Sequence, residues 1–389
     1  MNIWVVGAGA IGGWLAGALA QAGATTALIA RGKALEAIRA NGLIIRDRDE
    51  QRSYAIAASD RIADLPVPDA IVLTVKNFDF PTAVDIIAPA IRPGVAVVTA
   101  MNGLPWWFLN GLDGPLRDQR METIDPNGRA GELLKEATAI AAVVFASTYV
   151  IEPGVIGITH LTRLSLGDAK GEPSAVTREL SRLMEATGVA APISTDIRIE
   201  IWNKLWSNMS LNPISALTRL SSHPIFGDHH VARVLRNMMS EFAAVGETIG
   251  IRLPQTVEER WALTRKLGDF RTSMLTDAEA GKRRTTRQAA AKRRASGNRH
   301  GAEATPRTSN PEDLAAARAL GNRMARTRAG RWTSAHVSIS LAATFPPART
   351  LDDRAAQASW PRRTHRSPAQ GVSTELRLRR RDADRGGRA

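Results

Sequence analysis

Lys204, Asn208 and Asn212 stand four residues apart in the run Trp202-Asn203-Lys204-Leu205-Trp206-Ser207-Asn208, which continues to Leu211-Asn212-Pro213. On an α-helix that spacing drifts about 40° per step, so the three side chains share one face over some ~12 Å. A lysine flanked by apolar residues can donate a proton to a carbonyl oxygen, and two amides can hydrogen-bond a hydroxyl or a carboxylate. The row therefore suits a general acid with a substrate-orienting strip beside it. Taken alone, the same spacing also suits an ordinary polar helix stripe. Pro213 predicts a kink or break close to Asn212, because its ring clashes with the carbonyl of Met209.

A second constellation stands at the start of the chain. Gly7-Ala8-Gly9-Ala10-Ile11-Gly12 is a G-x-G-x-x-G directly after an apolar strand and at the opening of an Ala-rich helix, the context in which this motif binds a dinucleotide. The first glycine makes the tight turn, the second lets the backbone approach a pyrophosphate, and the third permits close packing. Backbone N–H groups and the positive end of the helix dipole then face the phosphates. The next strand ends in Ala30-Arg31-Gly32-Lys33, with no acid before Glu36. An acid there would bind the ribose hydroxyls of NAD, whereas Arg31 suits the 2′-phosphate of NADP. A solvated surface arginine is the alternative.

The elements that must carry these groups alternate strand and helix. Asn2 to Val6 reads as a strand, Gly9 to Ala22 as a helix and Thr25 to Ala30 as a strand. Ala70 to Val75, Val95 to Ala100, Ala139 to Phe145 and Leu161 to Leu166 read as further strands. This order predicts an α/β fold with an N-terminal Rossmann-type, doubly wound parallel sheet. A turn is expected at Pro153-Gly154, and an amphipathic helix carries Val176, Leu180, Leu183 and Met184. From Asp196 the pattern turns wholly helical, including a helix from Val231 to Ile249. The expected organisation is a Rossmann domain over 1–195, an all-helical C-terminal domain over 196–281 and a basic tail over 282–389.

Residues 1 to about 281 resemble the ketopantoate reductase (2-dehydropantoate 2-reductase) family. Lys204-Leu205 with Asn208, Asn212-Pro213 and Ala216-Leu217 is similar to the family signature. Gly7 to Gly12, Val75-Lys76, Asn102-Gly103 and Ser273-Met274 with Asp277 match other family landmarks in the right order. The resemblance implies an enzyme in which Lys204 protonates the keto oxygen of a 2-keto acid while NADPH delivers hydride to the 2-carbon; the absence of cysteine separately fits a reducing, cytoplasmic setting. It assigns the substrate hydroxyl to Asn208 and Asn212, and the carboxylate to Ser273. Lys76 and Asn102 are expected to line the cofactor site near the nicotinamide. Residues 196–281 become a substrate and dimerisation domain, with a homodimer as the candidate assembly.

Two departures stand out. Trp106-Trp107 and the insertion through Asp125-Pro126-Asn127-Gly128 resemble a side branch of the family, and the tryptophans could shape the substrate pocket or simply pack. After Gly281-Lys282, Thr285 stands where the family has a cofactor-contacting glutamate, and no closing helix follows. A frameshift near codon 282 of a GC-rich gene would account for an Arg-, Ala- and Pro-rich tail and would compromise activity, and the tail is expected to be disordered.

Composition limits the alternatives. The formal charge of +14 is all tail: from Lys282 onward 25 Lys and Arg stand against 8 Asp and Glu, which leaves −3 for positions 1–281. Nucleic-acid binding is disfavoured, because Trp332, Phe345 and Trp360 are not interleaved with the basic clusters. The absence of cysteine excludes disulfides and thiolate metal sites. The seven histidines show no ligand spacing, so no metal is expected. No Lys or Arg precedes the apolar N-terminus, against a signal peptide, and no later run predicts a membrane span. A catalytically dead NADP-binding protein is the competing reading.

Overall fold

The computed structural model describes residues 1–48 and 50–281, and the tail readings lie outside them. The first half of the chain runs β1 (Asn2–Val6), α1 (Ala10–Gln21), β2 (Thr25–Ile29), α2 (Gly32–Asn41), β3 (Leu43–Asp47), β4 (Glu50–Tyr54), β5 (Ala57–Ser59), β6 (Ala70–Leu73), α3 (Phe80–Ile87), β7 (Ala96–Thr99) and α4 (Arg129–Leu133). It continues with β8 (Thr138–Glu152), β9 (Val155–Asp168), α5 (Ala175–Glu185), α6 (Ile197–Thr218), α7 (Ser222–Gly227), α8 (His229–Thr248), α9 (Val257–Lys266) and α10 (Ser273–Glu279). All the described residues belong to one compact unit. Among them, no helix is long and apolar enough to cross a membrane.

The strands form one sheet in the order β4-β3-β9-β8-β7-β6-β1-β2-β5. From β8 to β5 every neighbouring pair is parallel, as a Rossmann-type sheet requires. Period-2 alternation divides its side chains between two cores. Trp4 and Val6 point to the face covered by α3, α6 and α8, while Ile3 and Val5 point to the face covered by α1, α2 and α5. The helical segment after Asp196 is therefore continuous with the core under one face of the sheet.

The sheet is mixed rather than wholly parallel, because β8 and β9 form a long antiparallel hairpin around Pro153-Gly154. Strands β3, β4 and β5 carry no sequence signal strong enough to predict them. Their residues are short runs with Arg46, Asp47, Glu50, Gln51 and Arg52 among them, and β4 is a largely exposed edge.

The break expected near Asn212 does not occur. Helix α6 runs through Pro213 and ends only where Arg219 takes a left-handed conformation, φ +59°. The proline costs the Met209 carbonyl its helical donor, but Ser210, Leu211, Ile214 and Ser215 on either side are buried and hold the helix in place. Its start is fixed by Asp196, whose carboxylate accepts from the backbone N–H groups of Arg198 and Ile199.

Candidate active site

The glycine turn sits where β1 delivers the chain to α1. Gly7 has φ +109°, and the Thr74 hydroxyl from the end of β6 donates to the carbonyls of Val6 and Gly7 at 2.9 and 3.1 Å. A Cβ on Gly12 would lie 1.8 Å from the Gly7 carbonyl oxygen, so only glycine allows this contact. At Gly9 a Cβ would meet nothing within 4 Å, and the residue is exposed over the helix N-terminus. No side chain caps α1, and no acid stands in its first turn. Ala8, Ala10 and Ile11 complete the turn, partly buried.

Arg31 is the exposed N-cap residue of α2, at the end of β2. Its nearest acid is not the Glu36 that follows in sequence but Asp79, brought to 3.8 Å from the turn after β6. Lys76, in the same turn, donates from Nζ to Asp277 Oδ2 of α10 at 2.8 Å. The loop after β6 is thereby tied to the helical segment.

A cleft opens between the end of β7, the first half of β8 and the flank of α6. Asn102, Lys204 and Asn208 all line it, Asn102 within an otherwise apolar stretch that includes Met101, Leu104 and Pro105. The site thus joins residues from two parts of the chain about a hundred positions apart. Asn212 and Ser273 are not part of this lining. Asn212 lies one turn farther along α6, and Ser273 is exposed at the start of α10. Trp106 and Trp107 are packing residues: both are buried, Trp106 stacks on Phe80 with ring centres 5.9 Å apart, and Trp107 lies under Arg198.

Lys204 is only partly buried as a residue, but its ammonium is drawn into the protein. Nζ donates to the Val144 carbonyl of β8 at 2.5 Å and lies 5.4 Å from the centre of the Phe145 ring. Burial disfavours the charged form and pushes the amine down to about 8. Among the described residues it makes no ion pair. A lysine in this state gives up a proton far more readily than a solvated one, which is what a general acid working near neutrality requires.

Three arginines near this site have no counterpart in the sequence reading. The guanidinium of Arg198 donates to the carbonyls of Phe108, Ala169 and Asn110 at 2.9, 2.8 and 2.7 Å, bracing the segment that follows Asn102 against the start of α6. Arg163 of β9 pairs with Glu200 at 2.9 Å, and Arg260 of α9 donates to the Ser207 hydroxyl at 3.0 and 2.8 Å. Glu200 went unremarked, although its place four residues before Lys204 is a signal that could have found it. Nothing in local spacing points to arginines that arrive from a distant strand and helix. Among the described residues, no group of three or more His, Asp or Glu could hold a metal ion.

Comparison with known proteins agrees with this architecture. The family model for ketopantoate reductase PanE/ApbA matches residues 3–171, and the model for the C-terminal part of the same family matches residues 196–308, the last stretch lying outside the described residues. A 2-dehydropantoate 2-reductase from Mesorhizobium japonicum is 40% identical over 283 residues, covering 72% of this chain and 87% of that protein. The crystal structure of a Ralstonia solanacearum MolK2 protein superposes with a TM-score of 0.67 at 37% identity, covering 72% of this chain and 85% of the other. That of a PanE/ApbA family ketopantoate reductase from Ralstonia eutropha JMP134 gives 0.61 at 26% identity, covering 73% and 87%. With both halves of the family matched in order around a shared cleft, the chain belongs to the ketopantoate reductase PanE/ApbA family.

Proposed function

We propose that the chain is an NADPH-dependent reductase of a 2-keto acid, with 2-dehydropantoate as the leading substrate and pantoate, a precursor of pantothenate, as the product. The observation that carries this reading is the enclosed Lys204 ammonium, on a residue that lines a cleft together with Asn102 and Asn208. The turn from Gly7 to Gly12 fits a dinucleotide, because the Gly9 position leaves open space over an uncapped helix N-terminus. When bound, the reduced nicotinamide supplies the hydride. Every other part of the reaction falls to the chain's own residues.

Lys204 releases Nζ from the Val144 carbonyl and donates its proton to the keto oxygen as that oxygen gains charge. Asn208, one turn along, orients the same oxygen or the neighbouring hydroxyl, and Asn212 extends the row. Asn102 holds the opposite side of the cleft. Ser273, exposed at the start of α10, is assigned the substrate carboxylate. Lys76 and Arg31 are cofactor residues, with Arg31 on the 2′-phosphate that distinguishes NADPH from NADH. In this reading residues 1–195 bind the nucleotide and residues 196–281 bind the substrate and pair two copies of a cytoplasmic enzyme.

The test is NADPH and NADH consumption by the purified full chain with 2-dehydropantoate and a panel of other 2-keto acids. Turnover with NADPH supports the reading, and the best substrate names the specificity. NADPH binding without turnover of any 2-keto acid would replace it with the catalytically impaired alternative.

A further inference from the structure

Glu200 precedes Lys204 by four residues on α6. On a helix that spacing brings Cβ atoms to within about 5–6 Å, and an acid placed N-terminal to a lysine is the favoured orientation for an ion pair. The pair does not form. Glu200 is turned to Arg163 of β9 at 2.9 Å, and the Lys204 ammonium goes instead to the Val144 carbonyl. The two cations flank one ring: the Arg163 guanidinium lies 4.5 Å from the centre of Phe145, and Lys204 Nζ lies 5.4 Å from it.

The charges around Lys204 are few. β8 presents the Val144 carbonyl and carries no charged residue before Glu152. β9 presents Arg163; its His160 is exposed, and its Asp168 is held by Thr177 and Ser174. On α6 itself, Arg198 is engaged by backbone carbonyls. The acids of α10, Asp277 and Glu279, are taken by Lys76 and Arg271. α8 meets α6 through the Trp202–Phe242 stack and the Trp206–Met239 hydrogen bond, and α7 follows beyond the end of α6. Arg260 stands one turn along, on Ser207; burial and the nearby Arg163 hold its guanidinium below the usual arginine range, while Glu200, close enough to act on it without an ion pair, pulls the other way. Glu200 is thus the one acid on α6 spaced to neutralise Lys204, and Arg163 holds it.

We propose that Arg163 is a positioning residue for the reduction: by holding Glu200 it withholds a carboxylate from Lys204 and leaves the ammonium unpaired and ready to release its proton. This rests on the reading of Lys204 as the proton donor. An ammonium paired to Glu200 would hold its proton more tightly and would lie along α6, away from the cleft.

The test is a charge cycle at Arg163 and Glu200, read by the pH dependence of kcat/KM and, separately, by the pH titration of the Lys204 amine followed as its rate of acylation by a water-soluble anhydride. Arg163→Gln frees Glu200 and should move both midpoints upward by about one pH unit. Glu200→Gln leaves Arg163 uncompensated and should move both downward by about half a unit. The double variant should fall between them, and Arg163→Lys, which keeps the pair, should restore the original midpoints. A merely structural role would lower kcat in every variant without moving the midpoints in opposite directions. Amine midpoints that stay fixed in both single variants overturn the proposal. Midpoints of the amine that move as expected while kcat/KM shows no matching limb would refute Lys204 as the donor and overturn the part assigned to Arg163 in the reduction, leaving only its effect on the charge of the amine.

Discussion

In the turn after β1 the chemistry belongs to the backbone and the side chains are kept small; on α6 it belongs to a side chain that the backbone must enclose. Gly7 and Gly12 are there because a Cβ would disturb the turn, and Gly9 because one would fill the space above it. Lys204 is useful for the opposite reason. Its long side chain crosses to the Val144 carbonyl of β8, and burial by elements far apart in sequence changes its acidity. The first site is therefore local, and the second depends on the packing of α6 against the β8–β9 hairpin.

Substitutions can separate the two. Lys204→Ala should lower kcat by about 10²–10⁴ while NADPH still binds, as expected for loss of a general acid. Steady-state kinetics beside a fluorescence titration of NADPH would show it, and an equal loss of binding would break the division between the sites. Gly12→Ala comes next: its Cβ would collide with the Gly7 carbonyl, destabilising the fold by about 1–3 kcal/mol and weakening NADPH at least roughly tenfold. Gly9→Ala sharpens the contrast, since the added methyl meets no protein atom. It should leave the melting temperature unchanged and weaken NADPH alone. Arg31→Ala is expected to have the smallest effect, raising the KM for NADPH by roughly tenfold, the value of one charge-assisted hydrogen bond, and leaving NADH unaffected. If both cofactors respond alike, Arg31 does not read the 2′-phosphate.

The same division explains what could be read in advance. The glycine turn was legible because its requirements fall within six consecutive residues after a recognisable strand. The central strands were legible as apolar runs, and the Lys204 face was legible as a helical row. Strands β3 to β5 were not: β3 turns polar after three apolar residues, β4 is a polar edge strand and β5 is an edge strand of three residues. The break expected at Pro213 followed from a local rule, and burial of its neighbours outweighed it. Asp79 beside Arg31, Asp277 beside Lys76, and Arg163 beside Glu200 all depend on contacts between distant segments. No spacing rule within one element could have supplied them. The row Lys204, Asn208 and Asn212 also proved unequal, because the cleft takes in the first two and leaves Asn212 one turn beyond its lining.

The central claim is that the Lys204 ammonium, lowered to about 8 by burial, gives its proton to the substrate. Its most direct test is kcat/KM for 2-keto acid reduction as a function of pH, with NADPH binding measured at each point. An acid must be protonated to act, so the account predicts a level profile below about pH 8 that falls as pH rises through that value. A profile that rises through the same range, or stays flat while NADPH remains bound, would contradict it.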